Sequence, residues 1–293
     1  MSPGQSLQFM LLLACMLGAG CGANTPTAHS TQPADQRIVS LAPNLTDTIL
    51  RLGLGDRLVG VSTYCLAPND EAVRVGGYLD PDIETILSLN PDLVVTAPNP
   101  SLEQALTTFE VPFHVMQSQW STVSDTRTSI LEVALLLDAE DQGAALVTEL
   151  DEQLANVQEA ARGLATKSVL LVIERQPGSM IAVGPGSHIE ELIALAGGRS
   201  VVTGTKPYPN VDIETVVQWA PEVIIDVSIG DTEVTEEITE QARTVWGAYP
   251  TLPAAQTGAV YVERPGLLVQ PGPGIGESAG RLFTMIHGNG VAP

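Results

Sequence analysis

From Arg37 onward, short apolar runs alternate with stretches whose apolar residues recur every three to four positions. "RIVSLAP" reads as a strand, "NLTDTILRLGLG" as a helix capped by Asn44 and stopped by glycine, and "RLVGVS" as a second strand. A helix over 81–90, the strand "DLVVTA", the helix "SLEQALTTF", the strand "FHVMQ" and the helix "VSDTRTSILEVALLL" complete a first set. Next comes "AEDQGAALVTELDEQLANVQEAARGLA", a long charged helix with Ala145, Leu146, Leu150, Leu154 and Val157 at helical spacing. A second set opens with the strand "SVLLVIE", passes through "GPGSHIEELIALAGG", and closes with the strand "AVYVE" and the helix "GIGESAGRLFTMIHG". Strands alternating with helices predict parallel-type sheets with helical crossovers. The fold class is therefore α/β, with lobes at 37–138 and 168–290 joined by a single long helix within 139–167.

One phrase occurs twice. "DIETILSLNPDLVV" at 82–95 returns without a gap as "DIETVVQWAPEVII" at 212–225, an offset of 130 residues. That period is too long for a solenoid repeat and points to a duplicated lobe. Each copy is expected to start a helix beside a proline or asparagine cap. Ile83, Ile86 and Leu87 share one face of the first helix, as do Ile213, Val216 and Val217 in the second. At about 100° per residue, Glu84 and Glu214 then stand about a right angle from that face, at its solvent edge. On geometry alone, such an acid complements the helix dipole. A contact with a partner is the alternative.

Composition narrows the partners. The 293 residues suffice for two domains, and 34 acidic against 13 basic side chains leave a net charge of -21. That balance argues against electrostatic binding to nucleic acid or anionic lipid and describes a soluble acidic surface. Residues 1–21 carry an apolar run from Phe9 to Ala19, too short to span a bilayer, and read as a signal peptide. "LGAGC" ends at Cys21, which is expected to be lipidated, with Cys15 in "LLAC" as the alternative. Residues 22–36 form a polar tether. The mature chain is then an exported monomer, lipid-anchored in the periplasm or at the outer cell surface. Its remaining cysteine, Cys65, reads as a small buried hydrophobe.

Catalytic and metal chemistry is thin. His29 lies in the tether, His287 in the last helix and His114 on a strand; His188 reads as a helix cap, with coordination of a haem or corrin metal as the alternative. No converging ligand set, nucleophile–base pair or phosphate loop is present, which disfavours an enzyme, a resident cofactor and a bare metal. Ligands of open α/β sheets sit beyond the carboxyl ends of strands, so two facing lobes make a cleft lined by such loops. Tyr64, Tyr78 and Tyr208 fall in those loops, and flat amphipathic rings suit a macrocycle. Trp120 and Arg264 are further candidates.

The segments "RIVSLAPNLTDTILRLGLGDRLVGVSTYC", "VGGYLDPDIETILSLNPDLVV", "GPGSHIEELIALAGG", "YPNVDIETVVQWAPEVII" and "GAVYVERPGLLVQPGPG" span nearly all of 37–287. In this order they resemble the periplasmic binding proteins that deliver cobalamin, ferric siderophores or haem to ABC importers. The resemblance implies two α/β lobes joined by a rigid helix, a small-molecule cargo, and a transmembrane permease dimer as partner. It implies that Glu84 and Glu214 pair with permease arginines. Similarity to cobalamin binders supports Tyr64, Tyr78 and Tyr208 as ligand contacts, with tyrosine replacing tryptophan at the last two. At "VVTAPNP" the chain has Ala97, Pro98 and Asn99 where a cobalamin binder can carry a further tryptophan. Cobalamin or another corrinoid is the expected cargo. A ferric siderophore or haem is the alternative, ahead of a transition-metal ion or an α/β enzyme with a bound cofactor.

Overall fold

The apolar run after Arg37 forms β1 (Ile38–Ser40), buried at every position because helices cover both faces of its sheet. The computed structural model describes residues 36–65, 72–117, 121–228 and 234–288. Around β1 lie β2 (Leu58–Val61), β3 (Val73–Arg74), β4 (Leu93–Thr96) and β5 (Phe113–Val115), in the order β3-β2-β1-β4-β5. All four pairings are parallel. The crossovers include helices α1 (Pro43–Arg51), α2 (Ile83–Ser88) and α3 (Pro100–Thr108), and α4 (Val123–Leu136) follows β5. The start of α1 departs from expectation. Its N-cap is Ala42, with Pro43 at the first helical position and Asn44 inside, because proline's fixed φ suits that position and moves the start forward.

The long helix, α5 (Glu140–Ala161), buries Leu146, Leu150, Leu154 and Val157. Each such side chain stabilises by roughly 1.5–3 kcal/mol. Ala145, expected on that stripe, is exposed, and Gly143 is buried in its place. There α5 crosses α4 so closely that a Cβ on Gly143 would collide with that of Ala134.

The second sheet contains β6 (Lys167–Gln176), β7 (Ser179–Ala182), β8 (Gly198–Ser200), β9 (Asn210–Asp212), β10 (Val223–Asp226) and β11 (Val260–Val262). Its order is β11-β10-β6-β7-β9, with β8 also on β6. Helices α6 (His188–Leu195), α7 (Ile213–Trp219), α8 (Glu236–Gly247), α9 (Pro253–Thr257), α10 (Pro265–Leu268) and α11 (Ile275–His287) complete the lobe. This sheet is mixed, because β7 runs antiparallel to both β6 and β9. Pro177 and Gly178, the latter at φ 80°, reverse the chain between "VIERQ" and "SMIA" and insert a hairpin into the parallel pattern.

One apolar core runs from Ile38 and Val95 of the first sheet through Leu150 of α5 and Phe283 of α11 to Leu171 and Ile225 of the second. Separate clusters fill the other faces, around Val94 and Leu106 in the first lobe and around Leu170 and Trp246 in the second. Polar ties also cross between the lobes. The Val123 backbone N–H at the start of α4 donates to Glu191 of α6 at 3.0 Å, and Arg51 of α1 pairs with Glu277 of α11 at 2.9 Å.

Candidate ligand cleft and docking faces

Where β2 ends, the Thr63 N–H donates to the Gly76 carbonyl at 2.8 Å, which fastens the loop carrying Tyr64 to the loop carrying Tyr78. Gly76 sits at φ 87°, a conformation that costs glycine little. The Tyr78 hydroxyl donates to the Pro98 carbonyl at 3.1 Å, and Asn99 Nδ2 donates to the Tyr78 carbonyl at 3.1 Å. Asn99 also caps α3, accepting from the Leu102 N–H at 3.2 Å. Tyr64 Cε2 lies 3.9 Å from the position a Cβ on Gly77 would take. Tyr64 and Tyr78 are therefore neighbours beyond the carboxyl ends of β2, β3 and β4, and Tyr64 is 70% exposed. Sequence reasoning missed Asn99 as the link between them. The signal was its place before Pro100, where an asparagine cap precedes a first-turn proline.

On the second lobe, Pro207 and Pro209 accept from the N–H groups of Gly184 (2.7 Å) and Ala182 (3.0 Å), so the loop carrying Tyr208 is anchored to the end of β7. Tyr208 is 43% exposed, and its partial burial raises the pKa of the phenol. Its position repeats that of Tyr78 at the same offset of 130 residues. Arg264 is exposed after β11, where it is the N-cap residue of α10. Trp120 and Cys21 lie outside the described residues.

His188 does not cap α6. Ser187 does, its hydroxyl accepting from the Glu190 N–H at 3.2 Å. His188 is only 2% exposed and neither ring nitrogen has a hydrogen-bond partner. Burial holds its pKa down to about 4, outweighing the Val269 backbone, which does not reach hydrogen-bonding geometry. His114 Nε2 lies 3.0 Å from Glu132, and His287 Nε2 lies 3.0 Å from the Ala196 carbonyl. Cys65 is buried, with Sγ 3.0 Å from Ser62 Oγ. Among the described residues, no three His, Cys, Asp or Glu side chains converge as a metal site.

The repeated phrase builds the same helix start twice. Asp82 and Asp212 are the N-caps, in place of the expected proline or asparagine, and accept from the N–H groups of Thr85 (3.0 Å) and Thr215 (2.8 Å). Hydrogen bonds from the threonine side chain and then its backbone hold each aspartate below the ordinary carboxylate value. Glu84 and Glu214 follow two residues later and are both exposed. A second feature was not anticipated from sequence: the wholly buried Asp226 at the end of β10. It accepts from Trp246 Nε1 (3.0 Å) and from Ser228 Oγ (2.6 Å) and N (3.1 Å), and pairs with Arg175 Nε at 2.9 Å. A lone aspartate ending an apolar run, "VIID", was the available hint.

Residues 38–265 match the periplasmic binding protein family. A vitamin B12-binding protein of Vibrio parahaemolyticus is 31% identical over 195 residues, covering 64% of this chain and 70% of the relative. An uncharacterized ABC transporter substrate-binding lipoprotein of Bacillus subtilis is 23% identical over 94% of this chain and 95% of its own length. Among solved structures, a periplasmic vitamin B12-binding protein of Vibrio cholerae superposes with a TM-score of 0.69 at 26% identity, covering 86% of this chain and 96% of that one. A periplasmic haem-binding protein of the same species gives 0.75 at 22% identity, covering 86% and 99%, and shares the two-lobe fold. Family match, relatives and fold agree: the chain belongs to the periplasmic binding protein family, as a solute-binding protein and not an enzyme.

Proposed function

We propose that this protein captures a corrinoid, cobalamin in the first instance, between its lobes and delivers it to the transmembrane permease of an ABC importer. The observation that carries this reading is the pair of neighbouring tyrosines, Tyr64 and Tyr78, beyond the first sheet, with Tyr208 at the duplicated position of the second lobe. Flat rings on both lobes bury the faces of a macrocycle while their hydroxyls keep polar partners. Relatives that bear the name vitamin B12-binding protein support the choice of cargo. Arg264 contributes a cation at the rim and Trp120 a further aromatic surface. The metal belongs to the cargo, and the protein holds no cofactor of its own. Glu84 and Glu214 are the contacts with the permease, one per subunit of a two-fold dimer. A two-fold partner presents the same surface twice, and a duplicated protein answers with the same carboxylate twice. The mature protein is an exported monomer held to the membrane through Cys21.

Haem is the second reading, favoured by one observation: His188 is an imidazole kept neutral by burial and left without a partner. Quenching of tryptophan fluorescence separates the two. Cyanocobalamin and cobinamide are expected to quench saturably, with haemin and ferric siderophores ineffective. Saturation by haemin alone would replace the corrinoid with haem.

A further inference from the structure

Beside Glu214 on the second lobe, a recess lies against the β6–β7 hairpin. Its volume is about 160 Å³, and its lining includes Arg175, Ser179 and Met180 of the β6–β7 hairpin, Ile213 at the start of α7, Val245 and Trp246. Ile213 immediately precedes Glu214. The volume is several times the roughly 30 Å³ occupied by one liquid water, room enough for a small planar group and its attached carbon.

Its chemistry is set by Arg175. The Nε group is committed inside the protein, 2.9 Å from both Asp226 Oδ2 and Ser228 Oγ. Asp226 is itself immobilised by Trp246 and Ser228 in a fully buried site, so the guanidinium is held in place from behind. Neither Nη group hydrogen-bonds a protein group among the described residues, and the side chain is 29% exposed. An arginine so placed offers a rigid pair of donors.

Charge decides what they receive. Asp226 already neutralises Arg175, and Asp212, Glu214 and Glu174 stand nearby on the same hairpin and helix start. An anion entering the recess meets a neutral ion pair inside a negative surround, which disfavours it. An uncharged acceptor meets no such opposition. Met180, Ile213 and Val245 supply apolar walls for its carbon atoms.

We infer that this recess is a second binding site, for an uncharged amide carbonyl, and that its occupant is a backbone or side-chain amide of a protein partner seated on the Glu214 face. The protein-borne source rests on the docking reading above; the amide site does not.

The test uses the indole N–H of Trp246, which bonds Asp226 and is one of only three tryptophans in the chain. In ¹⁵N-tryptophan spectra of the full chain, the neutral capped peptide N-acetyl-glycyl-glycinamide should shift this signal saturably, and acetate at equal concentration should not. Ser179→Leu, which fills the recess, and Arg175→Lys, which keeps a cation for Asp226 but removes the Nη pair, should each weaken the peptide at least about tenfold, as expected for a lost hydrogen bond to a charged donor. The unliganded Trp246 signal reports that each variant is folded. Acetate binding as well as the peptide, no saturable shift by the peptide, or an undiminished shift in Ser179→Leu would each overturn the site. If the peptide binds but Ser179→Leu leaves docking to permease-containing membranes unchanged, the protein source is overturned; loss of docking in Glu214→Lys tests the docking reading separately.

Discussion

The two copies of the repeated phrase agree on the outside and differ on the inside. Residues 81–90 and 211–220 share one burial pattern position by position, with Ile86 and Val216 as the buried anchors and Glu84 and Glu214 both exposed. Both helices are capped by an aspartate and both end in a left-handed residue, Asn90 at φ 44° and Ala220 at φ 48°. Both then enter a strand buried along its whole length. The agreement stops at the last strand position. Thr96 spends its hydroxyl on the adjacent Ala97 carbonyl at 3.0 Å, whereas Asp226 gathers Arg175, Trp246 and Ser228. The duplicated element has the same exposed surface in both lobes, whereas its interior in the second lobe holds a hairpin that the first lobe lacks.

The largest effect should come from breaking that interior difference. Asp226→Ala leaves Arg175 and the Trp246 N–H without their acceptor in a buried site, and is expected to destabilise by about 3–5 kcal/mol. Thr96→Val at the matching position should cost about 1 kcal/mol or less. Denaturant unfolding of both variants measures the contrast. Equal losses would mean that the two strand ends carry equivalent loads.

Next come the tyrosines at the duplicated loop position. Tyr78→Ala and Tyr208→Ala are each expected to weaken cyanocobalamin by roughly 1–3 kcal/mol, the scale of burying one large apolar side chain. Calorimetric titration reads this directly, and unchanged affinity in both variants would place the ligand elsewhere.

Acid should act on both helix starts alike. Asp82 and Asp212 have folded pKa values below the ordinary 3.8, so their contribution is complete above that value and is lost as pH falls through the folded values. Stability measured into the acid range should therefore decline below about pH 4, and Asp82→Asn and Asp212→Asn should each flatten that decline by a similar amount. A change in one variant alone would show that the two caps are not equivalent.

The smallest contrast lies in the left-handed residues that end the two helices. Asparagine tolerates this conformation and alanine does not, so Ala220→Gly should stabilise by about 0.5–1 kcal/mol and Asn90→Gly by less. Thermal denaturation resolves the pair, and the reverse order would remove strain as the explanation.

Much of this was legible along the chain, for identifiable reasons. Strands such as "DLVVTA" are apolar on both faces, and helices such as Glu140–Ala161 keep a regular stripe, so local pattern sufficed. Exposure of Glu84 and Glu214 followed from helical geometry alone. The β7 hairpin was hidden because its turn falls inside what reads as a parallel crossover. The partners of Asp226 come from positions 175, 228 and 246, and periodicity says nothing about such separations. His188 looked like a cap because it follows glycine and serine, yet Ser187 takes that role and His188 turns inward.

The central claim is that the repeated phrase presents two equivalent carboxylates to one two-fold partner. It is tested most directly by uptake of labelled cyanocobalamin in cells carrying Glu84→Lys, Glu214→Lys or both, alongside the affinity of each purified variant for the vitamin. Docking contacts that do not touch the ligand leave affinity unchanged, while each single reversal impairs uptake. Each lost charge pair is worth on the order of 1 to several kcal/mol, and the attraction between exposed charges fades as salt rises. The double reversal should abolish uptake. Normal uptake by the doubly reversed protein would contradict the account and leave Glu84 and Glu214 as first-turn acids that complement their helix dipoles and nothing more.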